Sequence, residues 1–155
     1  MFNRKNNNPF IFQKYANTCC NFSAFFYFYA MNYKNILLID DDEDDCEIFL
    51  VAIEQALGPG NYTTLNHAVK ALQQLDENQI NPDLIFLDLN MPIMNGIQFL
   101  TEIKKREHLK HIPVIIFTTS SQEALITQTK ALGAHDFITK PSDFNDFSKI
   151  FQAIR

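Results

Sequence analysis

Three short stretches of unbroken apolar sequence constrain this chain more than any other feature. They are Ile36-Leu37-Leu38-Ile39, Leu84-Ile85-Phe86-Leu87 and Val114-Ile115-Ile116-Phe117. None alternates polar with apolar, so none has a solvent face. Short continuous runs rich in branched residues point to strands buried on both sides, as in the middle of a parallel sheet. Two weaker strands are predicted at Tyr62 to Leu65 and at Asp136 to Thr139.

Helical periodicity fills the intervals. Ile48, Phe49, Ala52, Ile53, Ala56 and Leu57 form one stripe, stopped by Gly58-Pro59-Gly60. Ala68, Val69, Leu72 and Leu75 form a second. Ile97, Phe99, Leu100 and Ile103 form a third, followed by basic residues that suit a helix C-terminus. A fourth helix is predicted to open on a capping box, Ser120-Ser121-Gln122-Glu123, and to close at Gly133. A fifth carries Phe144, Phe147, Ile150, Phe151 and Ile154. Strands alternating with helices give an α/β, (βα)5 three-layer sandwich with right-handed crossovers. The flavodoxin-like strand order 2-1-3-4-5 is the expected arrangement.

Sites in such sheets form beyond the carboxyl ends of the strands. The residues just after the apolar runs are therefore informative. Asp40 and Asp41 follow the first, Asp88 follows the third strand, Thr118 the fourth, and Lys140-Pro141 the fifth. Three carboxylates converging in one crevice repel one another unless a cation binds or some stay protonated. A hard divalent ion with oxygen ligands, Mg²⁺ above all, meets that need, and no His or Cys lies close enough in sequence to suggest zinc. Lys140, costly to bury alone, is expected to pair with Asp88. Each residue also has a plainer reading as a turn, cap or strand-end residue. Asp42, Asp44 and Asp45 are read that way, as negative charge favouring a helix N-terminus. The joint placement of the others at one end of four strands is what the plain readings leave unexplained.

Ile36-Leu37-Leu38-Ile39-Asp40-Asp41-Asp42, Leu87-Asp88-Leu89-Asn90-Met91-Pro92-Ile93-Met94-Asn95-Gly96, Phe117-Thr118-Thr119 and Thr139-Lys140-Pro141 together resemble the response-regulator receiver family of two-component phosphorelays. The resemblance runs from about Lys34 to the C-terminus. It implies that Asp88 is the phosphoacceptor, that Asp41, Asp88 and the Asn90 carbonyl bind Mg²⁺ directly, and that Asp40 assists through water. It implies that Thr118 and Lys140 contact the phosphoryl group, and that Lys140–Pro141 is cis. Thr118 and Phe137 would form the switch, biasing the face of the fourth helix, fifth strand and fifth helix towards an output protein. The donor would be a histidine kinase or a histidine phosphotransfer protein. Two departures stand out: Asn95-Gly96 replaces the usual Asp-Gly, and Phe137 occupies a position that is often Tyr, so no phenol is available there. The acidic run also admits Asp41 and Asp42 as the working pair, although the end of the apolar run at Ile39 favours Asp40 and Asp41.

Composition narrows the alternatives. The net charge is −5, and Lys104-Lys105-Arg106 is the longest basic cluster, so a nucleic-acid partner is not expected. Cys19, Cys20 and Cys46 make an odd count without framework spacing, which suits reduced thiols in a cytoplasm. Residues 1–30 differ from the rest: all 18 acidic residues lie from Asp40 onward, and aromatic clusters such as Phe25-Phe26-Tyr27-Phe28-Tyr29 show no periodicity. A signal peptide is disfavoured by Lys14 and the bulky Phe28, and a membrane anchor by the shortness of the apolar run. The preferred reading is that the domain starts at Met31 and spans 31–155, with 1–30 a non-core extension or a misassigned start. No enzyme acting on a separate substrate is expected. An aspartate-nucleophile phosphatase would want a second acid two residues after Asp88, where Asn90 stands. A flavin carrier would want a phosphate-binding loop where Asp40 to Asp45 stand. A partner-binding module that is never phosphorylated is the remaining alternative.

Overall fold

The computed structural model describes residues 33–141. Five strands, β1 (Asn35–Ile39), β2 (Asn61–Leu65), β3 (Leu84–Leu87), β4 (Val114–Thr118) and β5 (Asp136–Thr139), alternate with four helices. The helices are α1 (Glu43–Leu57), α2 (Ala68–Asp76), α3 (Gly96–Lys105) and α4 (Glu123–Ala131). The sheet has the order β2-β1-β3-β4-β5 and every pairing is parallel, as expected. The helix expected around Phe144 to Ile154 lies outside the described residues, as do residues 1–30.

The unbroken apolar runs are the three inner strands, and they are buried on both faces. Alternation along each strand splits the core in two. Leu37, Ile39, Ile85, Leu87, Val114 and Ile116 pack against α2 and α3 through Leu72, Leu75, Phe99, Leu100 and Ile103. Ile36, Leu38, Leu84, Phe86, Ile115 and Phe117 pack against α1 through Phe49, Ala52 and Ile53. Phe49, Phe86 and Phe117 meet edge to face, with centroids 5.0–5.9 Å apart, the geometry that aligns ring edges with ring faces. The weaker strand signals belong to the two edges, β2 and β5, which are only half buried.

Capping sets the helix limits. Asp42 opens α1, its carboxylate accepting from the amides of Asp44 and Asp45. Asn95 and Gln98 form a reciprocal capping box at α3. Gly133, at φ +93°, ends α4. Its amide donates to Lys130 O and that of Ala134 to Thr129 O, the paired bonds of a Schellman motif.

Three expectations are corrected. The capping box at Ser120 does not form: α4 starts at Glu123 with Gln122 as its cap and no side-chain capping bond. Ser120 lies two residues too early for its hydroxyl to reach the first free amides. Val69 is 48% exposed, because α2 turns Ala68, Ala71, Leu72 and Leu75 inward instead. No cis peptide occurs among the described residues, so Lys140–Pro141 is trans. The two isomers of an X–Pro bond differ by only about 0.5–1 kcal/mol, too little for the dipeptide alone to select one.

Candidate functional site

The sheet ladder itself places the polar residues. Asp40 N donates to Leu65 O, Asp88 N to Ile39 O and Lys140 N to Thr118 O. Asp40, Asp88 and Lys140 are thus each held by one more rung of parallel pairing beyond their strands, and their side chains leave the same edge of the sheet. Thr118 is the last residue of β4. Asp40, Asp88, Thr118 and Lys140 are all buried, while Asp41 and Asn90 are exposed.

Carboxylate oxygens of Asp40, Asp41 and Asp88 lie within 4.8 Å of one another. Asp42 stands apart from that group as the α1 cap. Asp88 Oδ2 accepts from the Asn90 amide at 2.8 Å. Asp40 Oδ1 accepts from the Asp42 amide at 3.1 Å. Gly96 has its own part here: a Cβ on it would lie 2.2 Å from Asp88 O and 2.8 Å from Leu89 Cα. Only glycine lets the N-terminus of α3 pack this closely beneath the loop that follows Asp88.

Lys140 Nζ lies 2.6 Å from Asp40 Oδ2, 2.8 Å from Asp45 Oδ2 and 3.5 Å from Asp88 Oδ1. Its expected pairing with Asp88 is therefore the longest of three. Asp45, read from the sequence as a helix-dipole residue, is the site residue that reasoning missed. A signal was present: Asp45, Phe49, Ala52 and Ile53 continue one helical face, so the buried stripe of α1 points its first turn at the site. Lys140 Nζ also sits 5.9 Å from the centroid of Phe117.

Burial dominates the electrostatics of Asp40, pushing its carboxyl up to about 6 against the opposing pull of Lys140. Burial alone would lower the Lys140 ammonium, but its bonds to Asp40 and Asp45 hold it above the usual range. Lys140 is therefore a permanent cation. The buried Cys46 thiol, pushed up to about 11 by burial and by Asp40, is no nucleophile. The Thr118 hydroxyl is buried and has no hydrogen-bond partner among the described residues. Phe137 packs half-buried against the α2–α3 side of the core.

The donor set is all oxygen, with one lysine among four carboxylates. Hard divalent cations take such donors, and three acids leave positions on such an ion for water and other oxygen ligands. Among the described residues, no helix is long and apolar enough to cross a membrane.

Residues 36–152 match the family model of the response regulator receiver domain. Response regulator Rcp1 of Synechocystis is 32% identical over 126 residues, covering 78% of this chain and 86% of that protein. The crystal structure of the phosphorylated cyanobacterial phytochrome response regulator RcpA is similar with a TM-score of 0.72 and 31% identity, covering 79% of this chain and 91% of that one. The Mn²⁺-bound form of Rcp1 is similar with a TM-score of 0.70 and 33% identity, over 78% and 91% of the two chains. The strand order, the strand-end acids and these likenesses agree: the chain belongs to the response regulator receiver domain family.

Proposed function

We propose that Asp88 is the phosphoacceptor of this receiver, taking its phosphoryl group from a phosphohistidine on a histidine kinase or phosphotransfer protein, with one Mg²⁺ bound. Members of the family act as phosphoacceptors in two-component signalling, and this chain carries that function. The observation that supports Asp88 most directly is its setting: a buried strand-end carboxylate beside a permanent cation, with two further acids within reach.

In the proposed step a carboxylate oxygen of Asp88 forms a bond to phosphorus as the phosphorus–nitrogen bond of the donor breaks, and the imidazole keeps the electron pair. Asp40, Asp41, Asp88 and the Asn90 carbonyl would hold the ion, which supplies positive charge to the transferring oxygens. Two likenesses support a divalent ion here: the acid cluster, and the Mn²⁺ in the Rcp1 structure. Lys140 offers its ammonium to a phosphoryl oxygen. Thr118, whose buried hydroxyl lacks a partner, donates to another. Phe137 then moves into the space Thr118 leaves, which would bias the α4–β5 face and the residues after it towards an output protein. In this reading the chain signals by contact in the cytoplasm, catalyses only its own phosphorylation and dephosphorylation, and needs residues 31–155 alone.

Incubation with acetyl phosphate and Mg²⁺, read by intact mass, tests the assignment. The expected result is one phosphoryl increment in the wild type and none in Asp88→Ala. Labelling that persists in Asp88→Ala overturns it.

A further inference from the structure

We infer that Asp45 is a positioning residue for Lys140: it draws the lysine ammonium away from Asp88 and so sets how readily the site accepts and keeps a phosphoryl group. The inference rests on the reading of Asp88 as the phosphoacceptor.

Asp45 is the third residue of α1, and its amide donates to the Asp42 cap at 3.2 Å. Its Oδ2 accepts a hydrogen bond from Lys140 Nζ at 2.8 Å, across 95 positions of sequence. Asp40 Oδ2 is nearer still, at 2.6 Å. Asp88 Oδ1, at 3.5 Å, is at the outer limit of contact. The two short contacts of the ammonium therefore go to Asp40 and Asp45, and Asp45 is the one of the two that lies outside the acid cluster. The Lys140 side chain is 5% exposed and that of Asp45 25%, so water weakens their attraction only in part.

A phosphoryl group on Asp88 replaces one carboxylate charge by a group of up to about two negative charges, a net gain of at most about one, and adds three strong acceptor oxygens. Lys140 must then share or exchange its bond to Asp45 for one to the phosphoryl group. Asp45 competes for the same donor, and the competition lowers the net gain on phosphorylation. Removing its charge releases Lys140 towards Asp88. Simple loss of a structural contact would not strengthen phosphoryl binding, so the sign of the effect separates positioning from structure.

The test uses the full chain with Mg²⁺ and two probes: beryllofluoride, a tetrahedral stand-in for the phosphoryl group, and acetyl phosphate. NMR shifts give the apparent Kd for beryllofluoride, and intact mass gives the lifetime of the aspartyl phosphate. Asp45→Asn, of the same shape, should tighten the Kd by roughly threefold to tenfold, the range of a partly screened ion pair. It should lengthen the lifetime by a similar factor. Asp45→Ser should move both in the same direction, and Asp45→Glu should restore wild-type behaviour. Asp44→Asn removes the neighbouring charge, which makes no contact with Lys140, and should change neither. Equal or weaker beryllofluoride binding in folded Asp45→Asn and Asp45→Ser overturns the inference. So does an Asp44→Asn effect as large as that of Asp45→Asn, since that would be unspecific charge. If the wild type takes up neither probe, the reading of Asp88 fails instead.

Discussion

Replacing Lys140 by Met should destabilise the domain in a strongly pH-dependent way. Lys140 is a buried ammonium within 3.5 Å of three carboxylates. Met keeps most of its volume, so the loss is mainly electrostatic. Removing one partner of a buried ion pair typically costs about 3–5 kcal/mol, because the remaining charge is left unpaired in a poor solvent. Even with Lys140 present, burial holds the Asp40 carboxyl at about 6 against an ordinary 3.8; without the lysine it rises further. An acid whose folded pKa exceeds its unfolded pKa binds its proton more tightly when folded. Stability from that group is then present at low pH and lost as pH rises towards the folded pKa. The variant should therefore lie about 3–5 kcal/mol below the wild type at pH 8 and recover roughly half or more of that by pH 5. Urea unfolding in EDTA at pH 5, 6, 7 and 8 measures it, EDTA keeping a divalent ion from substituting for the ammonium. A deficit that stays constant across this range, or stays below about 1 kcal/mol at pH 8, would refute the argument that Lys140 compensates buried charge.

Asp41→Asn should weaken Mg²⁺ binding much more than Asp42→Asn, since Asp41 belongs to the acid cluster and Asp42 caps α1, where Asn serves about as well as Asp; calorimetric titration of both variants checks the order. Asp136 lies at the start of β5, where burial pushes its carboxyl up to about 7 against the bond it accepts from the Phe137 amide. Folded Asp136 thus binds its proton more tightly than unfolded between about pH 4 and 7, and stability falls as pH rises through that window. Asp136→Asn, which keeps the acceptor, should equal the wild type near pH 4 and exceed it by about 1–3 kcal/mol at pH 8, after allowing for partial exposure; urea unfolding at both values tests this. Ile93 is 87% exposed at φ +67°, in a turn closed by the Met94 amide donating to Pro92 O. A β-branched residue is strained there by about 1–2 kcal/mol, so Ile93→Asn should raise the midpoint of thermal unfolding by a few degrees, about 1 kcal/mol.

Much of this molecule was legible along the chain. Ile36–Ile39, Leu84–Leu87 and Val114–Phe117 have no polar face, so they could only be inner strands of a sheet covered on both sides. Parallel strands bring their carboxyl ends to one side of the sheet, which is why the polar residues that end the apolar runs, Asp40, Asp88, Thr118 and Lys140, could be placed together from the sequence. Local signals of one turn also held: Asn95-Gly96 opens α3 and Gly133 ends α4. What depended on distances between elements was not legible. The partners of Lys140 follow from how α1 packs over β1 and β5, and the residue that packing brings within 2.8 Å is Asp45, 95 positions away. Whether Asp42 bound an ion or capped a helix depended on where the ladder of β1 ended against β2 and β3, set by the Asp40–Leu65 and Asp88–Ile39 rungs. The start of α4 at Glu123, the outward turn of Val69 and the trans bond before Pro141 are choices among local alternatives separated by about 1 kcal/mol. Apolar patterning selects a fold because it sums over dozens of residues. Choices this close in energy are decided only by the contacts that the folded chain supplies.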